Sequence, residues 1–240
     1  MLSCDLHIHS TYSQDGESDI SSILKAAVAC NLDVIAITDH NEISGAHEAV
    51  RCSHMLAPDL LIIPGVEVST REGHIIALGV TEDIEMGLSV RETVKIIREM
   101  GGIAIAPHPF HRFRHGVGRR DKRALLDVDA IEVFNSRYIV GHTGSHNKRA
   151  YRFANLHNIS KVAGSDAHHA RYVGYGTTWV DAERNIQSVL DAIRCGKTRI
   201  DGKKTPFRSY TRQSVKNSWR KMKSHPVRRV LGKNIRYRGR

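Results

Sequence analysis

The sequence predicts an α/β fold in which helices cover a largely parallel sheet, either closed into a barrel or doubly wound. Two observations predict it. Short apolar runs alternate with amphipathic stretches along the first 195 residues of the 240-residue chain, and such alternation is typical of βα units. Histidine and carboxylate residues follow most of the apolar runs, where folds of this class build their active sites.

The predicted strands are short runs rich in apolar residues. In chain order they cover residues 4–8, 33–38, 60–68, 74–78, 103–106, 130–134 and 161–163. The predicted helices carry apolar residues at helical spacing, and several begin at Ser or Asp. They cover residues 18–30, 44–55, 89–100, 145–156 and 182–194. A turn-rich basic loop over residues 108–123 interrupts the alternation.

The charge of the chain is distributed unevenly. Its 36 Lys and Arg against 25 Asp and Glu give a formal net charge of +11. Residues 194–240 hold 17 of those bases and one of the acids, so this segment carries +16 and the first 193 residues carry −5. We therefore predict a mildly acidic domain over residues 1–195 and a basic C-terminal tail over residues 196–240.

The composition excludes several classes of protein. Because 40% of the residues are apolar, the chain can form a large core and is not collagen, a coiled coil or wholly disordered. No stretch approaches the roughly 18 apolar residues of a membrane span, and the N-terminus lacks the pattern of a secretory signal. The four cysteines are scattered without a CxxC pair, which favours reduced thiols and a cytoplasmic location.

Candidate metal ligands follow the ends of six predicted strands. His7 and His9 stand two residues apart on a strand, so their imidazoles point to the same face. The others are Asp39, His40, Glu67, His108, Glu132, Asp166 and His168. A single such histidine is more often a surface residue, but six independent placements agree. Imidazole and carboxylate without thiolate suit Zn²⁺, Mn²⁺ or Fe²⁺, and the surplus of ligands predicts a multinuclear site.

Six short motifs resemble those of the PHP superfamily, which is named for its polymerase and histidinol phosphatase members. They are DLHIHS at residues 5–10, TDH at 38–40, PGVEVS at 64–69, HP at 108–109, IEVFN at 131–135 and GSDAH at 164–168. They occur in the family's order and cover residues 3–180. The resemblance implies a distorted (β/α)7 barrel with three divalent metal ions at its C-terminal rim, and metal-dependent phosphoesterase activity.

Carried over residue by residue, the resemblance implies nine metal ligands. The first ion would be held by His7, His9, Glu67 and Asp166. Glu67 would bridge to a second ion, held also by His108 and by His74, for which His115 is the alternative. The third ion would be held by Asp15, His40 and His168.

The resemblance also implies supporting and catalytic roles. Asp39, Glu67 and His168 are the predicted catalytic residues, with Asp39 beside the cluster as a proton carrier. Asp5 and Glu132 would orient the ligand imidazoles. Arginines in and after the basic loop suit bidentate binding of a substrate phosphate. Each taken alone is more often a solvated surface charge, but at least one is expected to bind phosphate. They are Arg112, Arg114, Arg119, Arg120 and Arg137.

These features predict hydrolysis of a phosphate monoester, with a nucleotide as the favoured substrate, by metal-activated hydroxide. The alternative is a nuclease of exonuclease or oligoribonuclease type, with the tail holding RNA or DNA. A third hypothesis, a non-catalytic RNA-binding subunit, conflicts with the full ligand set. The tail has aromatic residues among its bases, which suits nucleic acid, but a membrane surface or a solvated tail stay open. The motifs do not indicate the oligomeric state.

Overall fold

The structure, a computed structural model, describes residues 1–111, 113–137 and 143–206. Its nine described strands form one mixed, nearly closed, barrel-shaped sheet. They are β1 (Leu2–Ile8), β2 (Val34–Ile37), β3 (Leu61–Ser69), β4 (His74–Leu78), β5 (Ile103–Ala106), β6 (Ala130–Asn135), β7 (Ser160–Gly164), β8 (Gly176–Val180) and β9 (Thr198–Gly202). The predicted α/β barrel is confirmed.

Six described helices lie between the strands. They are α1 (Ile20–Ala29), α2 (Ser44–Leu56), α3 (Val90–Glu99), α4 (Val117–Arg120), α5 (Thr143–Leu156) and α6 (Ile186–Arg194). The five longer ones match the predicted helices, and α4 is a single turn inside the basic loop. In the part of the chain that the structure describes, none of the helices combines the length and the apolar character needed to cross a membrane.

Local sequence explains where the predicted helices begin and which face they bury. Asp19 caps α1 by accepting a hydrogen bond from the Ser22 amide. Ser89 and Glu92 form a capping box at the start of α3. The apolar residues of α1 at helical spacing are fully buried against the sheet, so the periodicity read from the sequence is also the packing face.

The sheet is mixed, whereas the sequence predicted a largely parallel one. The strand order is β7-β6-β5-β4-β3-β2-β1-β8-β9. The β3–β4 and β4–β5 pairs are antiparallel, because only four residues separate β3 from β4 and a parallel crossover needs a dozen or more. The β1–β8 and β8–β9 pairs are also antiparallel.

Strand β8 lies where the sheet comes close to closing on itself. The Thr178 hydroxyl lies 2.8 Å from the Ala163 amide nitrogen and 2.9 Å from the Ala163 carbonyl oxygen, which ties β8 to β7. The compact unit extends through Thr205, so residues 196–205 of the segment predicted as tail belong with the sheet. Residues 207–240, which hold most of the predicted tail, lie outside the described part of the chain.

Candidate metal centre

The strands deliver the predicted ligands to one rim of the barrel. His7 lies near the end of β1, and Glu67 lies near the end of β3. His108 and Asp166 each follow a parallel strand, β5 and β7 respectively. His74 is the first residue of β4 and pairs with Ser69 at the end of β3. Because β4 runs antiparallel to β3, its first residue reaches the same rim as the ends of the parallel strands.

All nine residues predicted as metal ligands meet at this rim. Their donor atoms form four overlapping groups, and within each group the atoms lie within 4.8 Å of one another. The groups are His9, Asp15, His40 and His168; His7, His9 and Asp166; His7, Glu67 and His108; and His40, Glu67 and His74. His115, the alternative to His74, is absent from these groups, and its ring packs 5.3 Å from that of His74.

Glu67 lies at the centre of the cluster and is buried among five imidazoles. Its Oε2 lies 3.2–3.4 Å from ring nitrogens of His7, His9 and His40. Its Oε1 lies 2.9 Å from His74 Nδ1 and 3.1 Å from His108 Nε2. Burial alone would raise the pKa of Glu67, but the surrounding histidines outweigh it and hold the pKa well below its usual range. The carboxylate is therefore ionised, and it belongs to two of the four donor groups.

Hydrogen bonds behind His7 and His9 turn their free nitrogens toward each other. His7 Nδ1 donates to Glu132 Oε1 at 3.0 Å, because a carboxylate can only accept. Ser13 Oγ gives its proton to Asp39, so His9 Nδ1 is the donor in its 3.2 Å contact with Ser13. When both imidazoles are neutral, the two Nε2 atoms, which lie 3.1 Å apart, face each other as lone pairs. This arrangement is repulsive unless positive charge lies between them.

The electrostatics of the site favour that positive charge. Burial disfavours a charged His7, yet Asp166, Glu132 and Glu67 outweigh it and raise the pKa of His7 well above its ordinary value. Burial alone would raise the pKa of Asp166, but Arg114 and His7 outweigh it and lower the pKa well below its usual range. The donor set of the site therefore fits divalent cations, which supply the charge that these groups attract.

Two other ligands are in the form that coordination needs. Burial lowers the pKa of His40 to about 4. Burial, followed by the charge of Arg137, lowers the pKa of His168 to about 3. Both imidazoles are therefore neutral at pH 7, and a metal ion binds the neutral ring.

Glu132 contacts two of the candidate ligands, His7 and His108. One oxygen accepts from His7, and the other accepts from the His108 amide at 2.7 Å and from Asn135 Nδ2 at 2.8 Å. His108 has a positive φ of 31°, which is uncommon for a non-glycine residue and is held only by surrounding contacts. Glu132 therefore fixes one ligand through its ring and a second through its backbone.

Asp5 and Asp39 lie behind the cluster and accept hydrogen bonds from backbone and hydroxyl groups. Asp5 accepts hydrogen bonds from the backbone amides of Ser165 and Gly174, at 3.0 and 2.8 Å. It thus holds the loop that carries Asp166, and it also accepts from the backbone amide of His7 at 3.5 Å. Asp39 accepts three hydrogen bonds of 2.6–2.7 Å from Ser10 and Ser13. These bonds suit a carboxylate that supports the cluster.

Of the predicted phosphate-binding arginines that the structure describes, two lie at the site and two do not. Arg114 Nη1 forms an ion pair with Asp166 Oδ2, and Arg137 Nη1 lies 2.9 Å from His168 Nε2 and 3.4 Å from Asp166 Oδ1. Arg119 and Arg120 are exposed, and Arg120 donates to the Arg71 carbonyl instead. Arg112 lies outside the described residues. The geometry therefore supports Arg114 and Arg137 as the arginines of the site.

Two residues of the site had no role assigned from the sequence. Ser13 links three parts of the site, because its hydroxyl contacts the His9 ring, Asp39 and the His40 amide. Asn135 accepts from Arg114 and donates to Asp166 and Glu132. Asn135 lies within the IEVFN motif, so its position was marked in the sequence, whereas Ser13 lies between the recognised motifs.

The Glu132→Gln substitution tests the support behind His7. We expect metal affinity to fall by about 10- to 100-fold, as is typical when a carboxylate behind a ligand imidazole is altered, because the amide no longer requires His7 to donate from Nδ1. Isothermal titration with Zn²⁺ or Mn²⁺ measures the change. Glu99→Gln, an exposed glutamate paired with Lys95 on α3, is the matched control. An affinity equal to wild type would remove Glu132 from the site.

Comparison with known proteins identifies similar chains and folds. A family model described as PHP-associated matches residues 144–198. An uncharacterized protein of Methanocaldococcus jannaschii is 40% identical over 145 residues, which cover 56% of this chain and 82% of that protein. A 5'-3' exoribonuclease of Haemophilus influenzae is 26% identical over 197 residues, which cover 77% of this chain and 64% of the relative.

A solved structure shares the fold at a TM-score of 0.65 and 20% identity. It is a two-domain protein of Bacteroides vulgatus that contains a predicted PHP-like metal-dependent phosphoesterase. The alignment covers 84% of this chain and 65% of that structure. This chain therefore spans slightly less than two thirds of the two-domain protein, as it does of the exoribonuclease.

Proposed function

Because the chain belongs to the PHP superfamily, we propose that it is a metal-dependent phosphoesterase that hydrolyses a phosphate monoester, with a nucleotide as the favoured substrate. The observation that carries the proposal is the convergence of nine buried or half-buried ligand residues, in overlapping donor groups, beside two arginines. No cysteine lies in these groups, so the donor set is that of a hydrolytic centre and not of a structural zinc site.

The nine residues would hold up to three ions, and the metal is Zn²⁺, Mn²⁺ or Fe²⁺ because imidazole and carboxylate suit all three. When bound, such ions polarise a phosphate ester and lower the pKa of water. Glu67 and Asp166 belong to separate donor groups, and each would contribute a carboxylate ligand to the ions. Asp39, Glu132 and Ser13 fix the ligand rings, so that the donors are in place before substrate arrives.

Arg114 and Arg137 supply the phosphate-binding part of the site. Both guanidinium groups reach Asp166, and both side chains are largely buried. Each guanidinium therefore lies next to a candidate metal ligand, and we expect it to contact a phosphate that binds at the cluster. A guanidinium is always charged and offers paired donors, which matches the geometry of a phosphate dianion.

The second candidate function is a nuclease of the same chemistry. It is favoured by the similarity to a protein named as a 5'-3' exoribonuclease and by the basic residues of 207–240 in the sequence. A nuclease and a phosphomonoesterase can share the cluster and differ in the leaving group. The cluster alone does not choose between them.

We expect the chelated protein to be inactive, and activity to return when Zn²⁺, Mn²⁺ or Fe²⁺ is added. The assay compares a nucleoside 5'-monophosphate, a simple aryl phosphate and a 5'-phosphorylated oligoribonucleotide, with elemental analysis of the same samples. Release of phosphate from the small esters supports the first function, and shortening of the oligonucleotide alone supports the second. If a metal-loaded sample hydrolyses none of them, the phosphoesterase proposal fails.

A further inference from the structure

A strip of aromatic and cationic side chains runs along the surface beside the metal centre. It consists of His169, Arg171, Tyr172, Tyr175 and Lys203, here called the Tyr172 strip. Arg171 and Lys203 are exposed, and the three rings are half-buried. The described segments that carry it, residues 169–175 and 203–205, contain no carboxylate.

The members of the Tyr172 strip are in continuous contact. The Tyr172 ring lies 6.2 Å from that of His169 and 5.4 Å from that of Tyr175, measured between centroids. The Arg171 guanidinium lies 5.9 Å from the Tyr172 centroid, and Lys203 Nζ lies 4.2 Å from the Tyr175 centroid. The three rings therefore form a row, and Tyr172 and Tyr175 each have one positive charge at cation–π distance.

The backbone ties the strip to the metal centre at two points. His169 directly follows His168, one of the nine candidate ligands. At the other end, the Lys203 amide donates to the Tyr175 carbonyl, and the Thr205 amide donates to the Ser136 carbonyl. Ser136 precedes Arg137, whose guanidinium lies 2.9 Å from His168 Nε2. The strip thus borders the side of the cluster where Arg137 would hold a phosphate.

We propose that the Tyr172 strip binds single-stranded nucleic acid, with unpaired bases stacked on Tyr172 and Tyr175 and phosphates paired with Arg171 and Lys203. Aromatic faces interleaved with cations are the chemistry that recognises unpaired strands, because every base has a π-face and every linkage a charge. A duplex lacks the exposed base faces. Binding of a strand to the strip does not depend on the proposed phosphoesterase function. The consequence of binding, which is delivery of the strand to the cluster, rests on that function.

The binding test uses the full chain in excess chelator, so that hydrolysis does not enter the measurement. Fluorescence anisotropy with a labelled single-stranded oligoribonucleotide compares wild type with the Tyr172→Leu/Tyr175→Leu double variant. Leucine keeps apolar volume but removes the stacking face, and we expect affinity to fall about tenfold or more. Affinity for inorganic polyphosphate, which has no bases, and for a duplex of the same length should stay within about twofold of wild type.

Tyr151→Leu is the matched control, because Tyr151 is exposed and lies 5.8 Å from Lys161 Nζ in a similar pair. Lys161 stands near the start of β7, at the opposite end of that strand from His168. Lys203→Gln is a second variant, at an exposed position. It should weaken binding of the oligonucleotide and of polyphosphate alike, because Lys203 is proposed to pair with phosphate and not with a base. Melting temperatures check that each variant is folded.

Three results would overturn the proposal. They are unchanged affinity in both folded variants, an equal loss for polyphosphate in the double tyrosine variant, and competition by an acidic polyglutamate peptide as strong as that by RNA, which would indicate a protein partner. In metal-loaded samples the strip variants should still hydrolyse a small phosphoester at the wild-type rate. The strip and the phosphoesterase function can therefore fail separately, because one is measured by binding without metal and the other by turnover of a small substrate.

Discussion

Replacing Glu67 by glutamine is expected to lower phosphoester hydrolysis by about a thousandfold or more, a loss of roughly 4 kcal/mol in transition-state stabilisation. Glutamine has the shape of glutamate but is neutral and turns an N–H toward one set of imidazoles. Glu67 belongs to two of the four donor groups and contacts five histidines. We therefore expect metal content, measured by elemental analysis of the same preparation, to fall together with activity.

Glu99→Gln serves again as the control, because Glu99 is exposed on α3 and should keep wild-type metal content and rate. The melting temperature in chelator separates a lost site from a lost fold. A Glu67→Gln protein that is folded, fully metal-loaded and active would show that Glu67 does not bridge the ions. A protein that keeps its metal but loses activity would restrict the role of Glu67 to the reaction itself.

The candidate site could be predicted far more completely than the sheet. Its ligands lie within short motifs, and a residue such as His7 is fixed relative to His9 by strand geometry alone. That nine residues from distant segments meet at one rim follows from the parallel strands, whose ends share an edge. His74 was the exception, because it reaches the rim only through the antiparallel direction of β4, which the strand pattern does not reveal.

The last two strands could not be found from apolar pattern. Strand β8 reads GTTWV, with Thr177 and Trp179 half-exposed. In β9, at the end of the sheet, three of the five residues are exposed and the other two are half-buried. Their stability comes from pairing with β1 and β8, and such long-range contacts leave little trace in composition. The domain boundary was predicted at residue 195 because residues 194–240 are strongly basic, but the compact unit continues to Thr205.

The arginines show why charge alone does not assign a role. Arg114 and Arg119 lie five positions apart in the same basic loop, yet one is 9% exposed beside Asp166 and the other is exposed. The turn after His108 decides the difference, because the His115 carbonyl pairs with the His74 amide and anchors the loop there. Side-chain direction in an irregular loop depends on such tertiary contacts, which no periodicity reports.

The Arg114→Gln substitution is expected to lower kcat/KM for a phosphomonoester by about 10- to 100-fold, mainly through KM. A hydrogen bond to a charged group contributes about 1.5–3 kcal/mol, and Arg114 is held toward Asp166 by Asn135 and by the Arg137 carbonyl. Metal content should stay at the wild-type level, because Arg114 is no ligand and its removal frees Asp166 Oδ2. Steady-state kinetics with elemental analysis measures both quantities.

Arg119→Gln is the matched control from the same loop, and its kinetic constants should be those of wild type. Arg114→Lys should recover only part of the loss, because an ammonium cannot offer the paired donors of a guanidinium to a phosphate. Loss of metal in Arg114→Gln would mean that this arginine supports the cluster and not the substrate. An unchanged KM in all three variants would leave Arg137 as the phosphate-binding residue of the described site, since its guanidinium also reaches Asp166.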